Sequence, residues 1–249
     1  MENNSTVKII GPSLFLTGIA LIAAFLLSHV NKNTSKVINE RKIENQRQAV
    51  QDVLPGFSNI IEEEANVDGK VFNYWVGTRE NSEEEIERAY AILASEPGYS
   101  GNIDTMVGFD ENFKVLRIVI LHQTETPGLG TRCMEVADDT TIANLITGKR
   151  KKSATPKKPW FQEQFTGLSM NEPVNLEFRG DWTPRMRDEL LQRNSITSIT
   201  GATITSRVIL RSIENKANEL KKILSEKSEE ENIEENIEDN TEENGGLDI

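Results

Sequence analysis

The segment IDTMVGFDENFKVLRIVILHQ, residues 103–123, decides the fold class of this chain. Its two ends, residues 103–110 and 115–123, carry the Val, Ile and Phe residues that are typical of β-strands. The gap between them, DENF at residues 110–113, is short and therefore indicates an antiparallel hairpin.

The sequence before this hairpin predicts one more strand and one helix. VFNYWVG, residues 71–77, reads as a strand, whereas EEEIERAYAILAS, residues 83–95, places Ile86, Tyr90 and Leu93 at helical spacing. Strands and ten-residue helices do not alternate regularly, which argues against a doubly wound parallel sheet. The sequence therefore predicts an α+β fold with a mixed or antiparallel sheet and flanking helices.

An apolar N-terminal run predicts a single transmembrane anchor at residues 9–31. These 23 residues contain no Asp, Glu, Lys or Arg, and roughly 20 helical residues, at about 1.5 Å each, cross the hydrocarbon core. The alternative is a cleaved signal peptide, but the basic start and small-residue cleavage site that it requires are not evident. Residues 32–56 are assigned to a helical stalk, which LPG at residues 54–56 ends.

Two further helices are predicted in the second half of the chain. PWFQEQFTG, residues 159–167, predicts a short helix with three aromatic side chains toward the core, namely Trp160, Phe161 and Phe165. Residues 205–225 repeat apolar side chains at helical spacing and end in a basic turn, as the helix dipole favours. The apolar positions are Val208, Ile209, Ile213, Leu220 and Ile223.

The net charge of −12 is concentrated in the C-terminal tail. Residues 226–249 hold eleven acidic residues and one basic residue, so the rest of the chain carries a net charge of only −2. This tail lacks the apolar side chains of a core and is predicted to be disordered. A nearly neutral body with an acidic tail does not attract a polyanion, which argues against a nucleic-acid partner.

The scarcity of Cys and His argues against several kinds of site. Cys133 is the single cysteine, so a disulfide framework and an all-cysteine metal site are excluded. His29 and His122 are the only histidines, and neither a metal site nor a catalytic nucleophile–base pair is predicted. The motifs GxGxxG and GxxxxGK[ST] do not occur, so a Rossmann or P-loop nucleotide site is not supported. Residues 134–158 are predicted to be an irregular excursion with a solvated basic cluster, which comprises Lys149, Arg150, Lys151, Lys152, Lys157 and Lys158.

Two segments suggest chemistry rather than packing. HQTETPGLG, residues 122–130, follows the last predicted strand, and its glycines let the backbone approach something flat or anionic; an ordinary turn is the alternative. SITSITGATITS, residues 195–206, precedes the last long helix. There Thr203, Thr205 and Ser206 can cap the helix, and its free N–H groups can hold a phosphate. A Thr-rich strand followed by an ordinary cap is the alternative.

Taken together, these segments resemble the FMN-binding G subunit of the Rnf electron-transport complex, a homologue of the C subunit of the sodium-translocating NADH:quinone reductase. The resemblance covers roughly residues 8–224 and rests on several motifs that occur in the family's order. These are the N-terminal anchor, VLPG at 53–56, GYSGNIDTMVGFD at 98–110, ILHQTETPGLG at 120–130, PWFQEQFTG at 159–167 and ITGATITSRVI at 199–209.

The resemblance implies FMN that is joined through its phosphate to Thr203, the last residue of the [ST]GAT motif. It also implies cofactor contacts from the two segments, namely Glu125, Thr126, Gly128, Leu129, Gly130, Thr200, Gly201, Ala202, Thr205 and Ser206. The sequence departs from the family at one position. Three positions before Thr200 the family usually has an acidic residue, and this chain has Thr197, which bears on modification by the FMN transferase.

The resemblance further implies an electron-relay protein without a substrate site of its own. Its partners are expected to be the other subunits of an Rnf-type complex, the FMN transferase and the membrane. The FMN domain, residues 57–225, is expected on the extracytoplasmic side of the cytoplasmic membrane. The positive-inside rule alone favours the opposite side, because four basic residues follow the anchor: Lys32, Lys36, Arg41 and Lys42. The alternatives are the C subunit of the quinone reductase, a flavin-binding redox sensor, and an anchor and assembly protein without flavin.

Overall fold

The structure is a computed structural model that describes residues 3–67, 69–80, 85–136 and 158–244. Contacts divide the chain into two compact units, Met1–Arg47 and Gln48–Ile249. In the order of the chain, the helices are α1 (Asn3–Val53), α2 (Trp160–Glu163), α3 (Arg187–Gln192) and α4 (Thr203–Asn244). The strands are β1 (Asn59–Val67), β2 (Lys70–Glu80), β3 (Ile86–Pro97), β4 (Asn102–Asp110), β5 (Val115–His122), β6 (Asn175–Glu177) and β7 (Ser195–Thr197). Two short 3-10 helices span Gly130–Met134 and Pro184–Met186.

Helix α1 contains both the predicted anchor and the predicted stalk. Its N-terminal part is long and apolar enough to cross a membrane, and side chains such as Leu14 and Phe15 are exposed. The helix ends at Val53, directly before LPG, as predicted. Its last turns behave differently from the anchor, because Ala49, Val50 and Val53 are buried. The C-terminal end of the helix is therefore part of a protein core.

The main sheet is a five-stranded antiparallel meander in the order β1-β2-β3-β4-β5. The three predicted strands are confirmed as parts of β2, β4 and β5, and the predicted hairpin joins β4 to β5. Strand β1 was not predicted, because the run Glu62-Glu63-Glu64 hides the strand signal. Such charged residues are common on edge strands, where they oppose aggregation.

The predicted helix at residues 83–95 is wrong, because the segment from Ile86 to Pro97 is strand β3. The strand lies in the middle of the sheet and is covered on both faces. Ala89 and Ala91 pack in the cluster that includes the end of α1, whereas Ile92 packs in the larger cluster that includes α4. A strand that is buried on both faces does not alternate apolar and polar residues, so its pattern can imitate that of a helix.

The predicted core positions of α2 and α4 are confirmed. Trp160 and Phe161 are buried, as are all five apolar positions predicted for the last helix. Phe165 is also buried, but it follows α2, because the helix predicted for residues 159–167 ends at Glu163. Helix α4 extends beyond Ser225, where the sequence analysis ended it, to Asn244. Glutamate favours helix, and a pair between Lys222 and Glu226 continues the helical register. The part of the expected disordered tail that the structure describes, residues 226–244, is therefore helical.

A small parallel sheet supports the Thr-rich segment. Strands β6 and β7 pair in parallel, and the side chains of β7 are buried. Strand β7 therefore fixes the backbone a few residues before α4 begins. Of the predicted basic cluster, only Lys158 falls within the described residues; the others lie outside them.

Candidate functional site

The two segments that the sequence singled out meet at one carboxylate. Glu125 is only 4% exposed, and its Oε2 accepts a hydrogen bond of 2.5 Å from the hydroxyl of Thr205, 80 residues further along the chain. Its Oε1 accepts a hydrogen bond of 3.0 Å from the backbone N–H of Ser100. The Glu125 side chain therefore joins the 122–130 loop to the start of α4 and to the turn between β3 and β4.

Gly130 is packed where these elements meet. A Cβ atom at this position would lie 2.6 Å from Cβ of Glu125 and 2.7 Å from Oγ1 of Thr205. Real Cβ atoms do not come so close to other atoms, so only glycine fits here. The close approach that the glycine-rich loop predicted is, at Gly130, an approach to the protein's own side chains.

The [ST]GAT motif forms a tight turn that leads into α4. The backbone N–H of Ala202 donates to the carbonyl of Ile199 at 2.9 Å, and Gly201 has φ of +79°. A positive φ at the third residue of a hydrogen-bonded turn is the signature of a type II turn and favours glycine. Thr203 is the next residue after the turn and the first residue of the helix.

Two of the three hydroxyls at the start of α4 are already engaged within the protein. Thr205 donates to Glu125. Ser206 Oγ donates to the carbonyl of Ala202 at 3.1 Å and accepts from the backbone N–H of Ile199 at 2.9 Å. The half-buried Thr203 hydroxyl has no hydrogen-bond partner among the described residues. It is thus the hydroxyl of the helix start that is free to react.

The first backbone N–H groups of α4 surround this hydroxyl. The N–H groups of Thr203, Ile204 and Thr205 lie too early in the helix to have intrahelical acceptors, and no other acceptor for them occurs in the described part of the chain. Together with the helix dipole, such groups stabilise an anion. The residues present therefore fit a phosphate esterified to Thr203.

An ion pair holds the other side of the turn. Asp181 Oδ1 accepts from the backbone N–H of Thr200 at 3.0 Å, and its Oδ2 lies 2.7 Å from Nη2 of Arg132. Burial raises the pKa of the Asp181 carboxyl, but hydrogen bonds from Arg132 and Thr200 together outweigh burial and lower that pKa below 3.8. Hydrogen bonding to Asp181, and then to Glu135, raises the pKa of the Arg132 guanidinium.

Asp181→Asn is expected to lower the free energy of unfolding by about 0.5–1 kcal/mol near neutral pH, because the pair is partly exposed. The lowered pKa means that the Asp181 carboxylate stabilises the fold above 3.8 and that this contribution is lost as the pH falls through the lower folded-state pKa. The difference between the two proteins should therefore shrink in acid. Urea unfolding at about pH 7 and about pH 3 measures it. A difference of equal size at both pH values would contradict the assigned ion pair.

The predicted site residues fall into a buried group and an accessible group. The buried group supports the site from within: Glu125, Gly130, Ala202, Thr205 and Ser206. The accessible or half-buried group faces outward: Thr126, Gly128, Leu129, Thr200, Gly201 and Thr203. Leu129 lies over the turn, since a Cβ atom on Gly201 would be 3.1 Å from its Cδ2. The exposed side chain of Ile204 adds a second apolar group next to Thr203.

The sequence analysis missed three contributors to this site. Ser100 belongs to GYSG, which was quoted for the resemblance but was not assigned to the site. Arg132 and Asp181 belong to no recognisable motif. Arg132 pairs with Asp181, and Asp181 accepts from Thr200, but these partners are far apart in the sequence and meet only in the folded chain. At the departure from the family pattern, Thr197 is buried and its hydroxyl donates to the carbonyl of Gly180 at 2.7 Å. The carboxylate that reaches the motif is that of Asp181.

Comparison with known proteins finds relatives of this chain. The sequence model of the FMN-binding domain matches residues 98–218, which contain all the segments of the site. The G subunit of an ion-translocating oxidoreductase complex from Shewanella amazonensis is 28% identical over 214 residues, which cover 83% of this chain and 85% of that protein. The chain contains an FMN-binding domain and is similar over most of its length to Rnf-type G subunits.

Another relative of this chain carries a more specific name. The G subunit of the Na(+)-translocating ferredoxin:NAD(+) oxidoreductase complex of Acetobacterium woodii is 24% identical over 226 residues, with 84% of this chain and 92% of that protein covered. Among solved structures, the crystal structure of the C subunit of the Na(+)-translocating NADH-quinone reductase from Parabacteroides distasonis matches with a TM-score of 0.42 and 16% identity. That match covers 71% of this chain and 90% of that chain.

The sequence comparisons confirm the resemblance to Rnf G subunits, and the arrangement of helices and strands confirms the α+β fold class. The chain contains an FMN-binding domain, and its apolar N-terminal helix fits a membrane-anchored protein. Glu125, Gly130 and Thr203 all lie inside the matched region. Their contacts can therefore be interpreted as the architecture of a flavoprotein.

Proposed function

We propose that this chain is an Rnf G subunit that carries FMN on Thr203, through a phosphodiester, and relays electrons within an ion-translocating ferredoxin:NAD oxidoreductase complex. The name of the Acetobacterium woodii relative supports this type of complex. The domain acts as a carrier and has no substrate site of its own. Its partners are the other subunits of the complex, and FMN transferase attaches the cofactor.

The observation that carries the proposal is the free Thr203 hydroxyl at the start of α4. It is the helix-start hydroxyl without an internal hydrogen bond among the described residues, and three backbone N–H groups lie beside it. A phosphodiester keeps one negative charge, which these groups and the helix dipole stabilise. The Thr205 hydroxyl is engaged in its hydrogen bond to Glu125, so Thr203 offers the hydroxyl for attachment.

The bound cofactor supplies the redox chemistry, because attachment through its phosphate leaves the flavin ring unmodified. The chain supplies anchoring and an apolar surface. Leu129 is 44% exposed and Ile204 is 51% exposed, and they flank Thr203 on the loop side and on the helix side. Exposed apolar side chains at this point offer a contact surface for a ring that remains open to partner proteins.

We further propose that the domain lies on the extracytoplasmic side of the cytoplasmic membrane, with α1 as its single-pass anchor. The family resemblance favours the extracytoplasmic side, whereas the few positive charges after the anchor favour the cytoplasmic side. We follow the resemblance because the other subunits of the complex also determine the orientation of the anchor. The C subunit of the quinone reductase remains the alternative within this class of complex. A flavin-binding redox sensor is the alternative outside it.

Electron transfer by membranes tests the proposal. We expect that deleting the gene abolishes ferredoxin-dependent reduction of NAD by the host's membranes and that the wild-type gene restores it. Loss of quinone reduction with NADH, and not of the ferredoxin reaction, would favour the quinone-reductase alternative. Unchanged membrane reactions together with an altered transcriptional response to redox state would favour the sensor. Either result would overturn the relay proposal.

A further inference from the structure

A second concave site lies away from Thr203, at the free edge of β5. This site, here called the basic cleft, has a volume of about 480 Å³. It lies between β5, α2, the start of α3 and the end of α1. Its floor is apolar and is formed by Ile118, Ile120, Met134 and Pro159. Its basic lining residues are Arg117, Lys158 and Arg187.

The cations of the basic cleft are poorly compensated. Arg117 donates from Nη1 to the backbone carbonyl of Asp52 at 2.9 Å. Within residues 3–67, 69–80, 85–136 and 158–244, the side chains of Lys158 and Arg187 make no hydrogen bond or ion pair. The carboxylates of Asp52 and Glu163 also line the cleft, but neither forms a salt bridge with these cations in the same described ranges.

The surroundings of Lys158 disfavour its charged form. Partial burial lowers the pKa of Lys158, and the charges of Arg117 and Arg187 lower it further. The charges of Glu163 and Asp52 act in the opposite direction and leave the pKa lowered. Three cations that line one cleft, with Lys158 and Arg187 exposed, attract an anion.

The cleft also exposes the backbone at the edge of strand β5. Consecutive side chains of a strand point to opposite faces, yet residues 117–120 all line the cleft, so the cleft runs along the edge of β5. Strand β4 covers one edge of β5. On the other edge, the described residues provide a bridge from Lys114 to Ser169 and no pairing strand beside 117–120. An uncovered edge is a template for an added strand.

From these features we infer that the basic cleft binds an extended acidic segment of a partner protein. The segment adds along the edge of β5, its apolar side chains contact the floor, and its carboxylates pair with Arg117, Lys158 and Arg187. The volume is in the range of sites for whole ligands rather than for a single ion. The identity of the partner as another subunit of the complex rests on the proposed function.

The position of the cleft gives this docking a role. Strand β5 leads directly from the cleft to the loop that contains Glu125. The five residue-to-residue steps from Ile120 to Glu125 span at most roughly 17 Å when extended, at about 3.3 Å each. A partner bound in the cleft is therefore held close to the cofactor loop.

Site-specific photo-crosslinking in the assembled membrane complex tests the inference. The photoreactive residue replaces Thr166, which lines the cleft and lies outside the cofactor site. We expect a crosslink to a peptide rich in Asp and Glu from another protein. Arg187→Glu should lower the yield about tenfold, since it replaces attraction by repulsion. Arg185→Glu is the matched control, because Arg185 is an exposed arginine two positions away that does not line the cleft.

The outcomes separate this inference from the proposed function. No crosslink, a lipid adduct, a crosslink to this chain's own residues 137–157, or equal yields for both arginine variants would overturn the basic cleft as a docking site. A crosslink to an acidic peptide from a protein outside the complex, with a yield that Arg187→Glu lowers in the same way, would support the cleft as a docking site. It would contradict the assignment of the partner to that complex. Retained flavin attachment in each variant shows that the fold is intact.

Discussion

Thr203→Ala is expected to abolish the ultraviolet-fluorescent band that the wild-type chain gives on a denaturing gel after co-expression with FMN transferase. Denaturation removes non-covalent flavin, so a surviving band reports a covalent bond. The variant removes the one helix-start hydroxyl that lacks an internal partner among the described residues. Because Thr203 is half-buried and its hydroxyl makes no hydrogen bond in that part of the chain, the free energy of unfolding should change by less than about 0.5 kcal/mol.

Thr203→Ser is the matched control for this experiment. It keeps a hydroxyl at the same position and removes only a methyl group, so a fluorescent band is expected to persist. A band of wild-type intensity in Thr203→Ala would mean that another residue, such as the exposed Thr200, accepts the flavin. The absence of a band in the wild-type protein, with an active transferase, would contradict covalent attachment altogether.

Glu125→Ala is expected to lower the free energy of unfolding by about 2–5 kcal/mol. The substitution leaves the buried Thr205 hydroxyl without its acceptor, which costs about 1–3 kcal/mol, and it removes the hydrogen bond from the Ser100 N–H to a carboxylate, which contributes about 1.5–3 kcal/mol. The same change releases the start of α4 from the loop, so the fluorescent band should also weaken. Chemical unfolding of the detergent-solubilised chain, followed by tryptophan fluorescence, measures the change in stability.

Glu125→Gln separates the shape of this residue from its charge. The amide fills the same space and keeps one acceptor oxygen, so the loss should be smaller, about 1–2 kcal/mol. If Glu125→Ala unfolds within about 0.5 kcal/mol of the wild type, the carboxylate is not the link between the three segments. If only the flavin band changes, Glu125 acts on attachment rather than on stability.

Sequence reasoning succeeded where the signal was local. The hairpin was predicted because its strands and its short connection are adjacent in the sequence, and the core positions of α4 because they repeat at helical spacing. It failed at β3, where Ala89, Ala91 and Ile92 are buried on two faces and leave no alternation to read. It also missed β1, whose acidic run resembles a solvated loop.

The site was predicted as a set of positions, and its connections were not. Nothing in the sequence links Glu125 to Thr205, because 80 residues separate them, and the described part of this stretch includes two α-helices, two 3-10 helices and two strands. The pairing of Asp181 with Arg132 and Thr200 is equally non-local. Which predicted residues support the site and which face outward depends on burial, and burial is a property of the fold as a whole.

The engagement of Thr205 and Ser206 within the protein has a consequence for the order of events during maturation. In an unfolded chain none of the hydroxyls of Thr203, Thr205 and Ser206 is engaged, and the folded domain withdraws two of them. If FMN is attached as proposed, selective labelling of Thr203 is expected where folding comes before modification. A flavin found on Thr205 would mark a molecule that the transferase met too early, which makes the attachment position a built-in measure of folding quality.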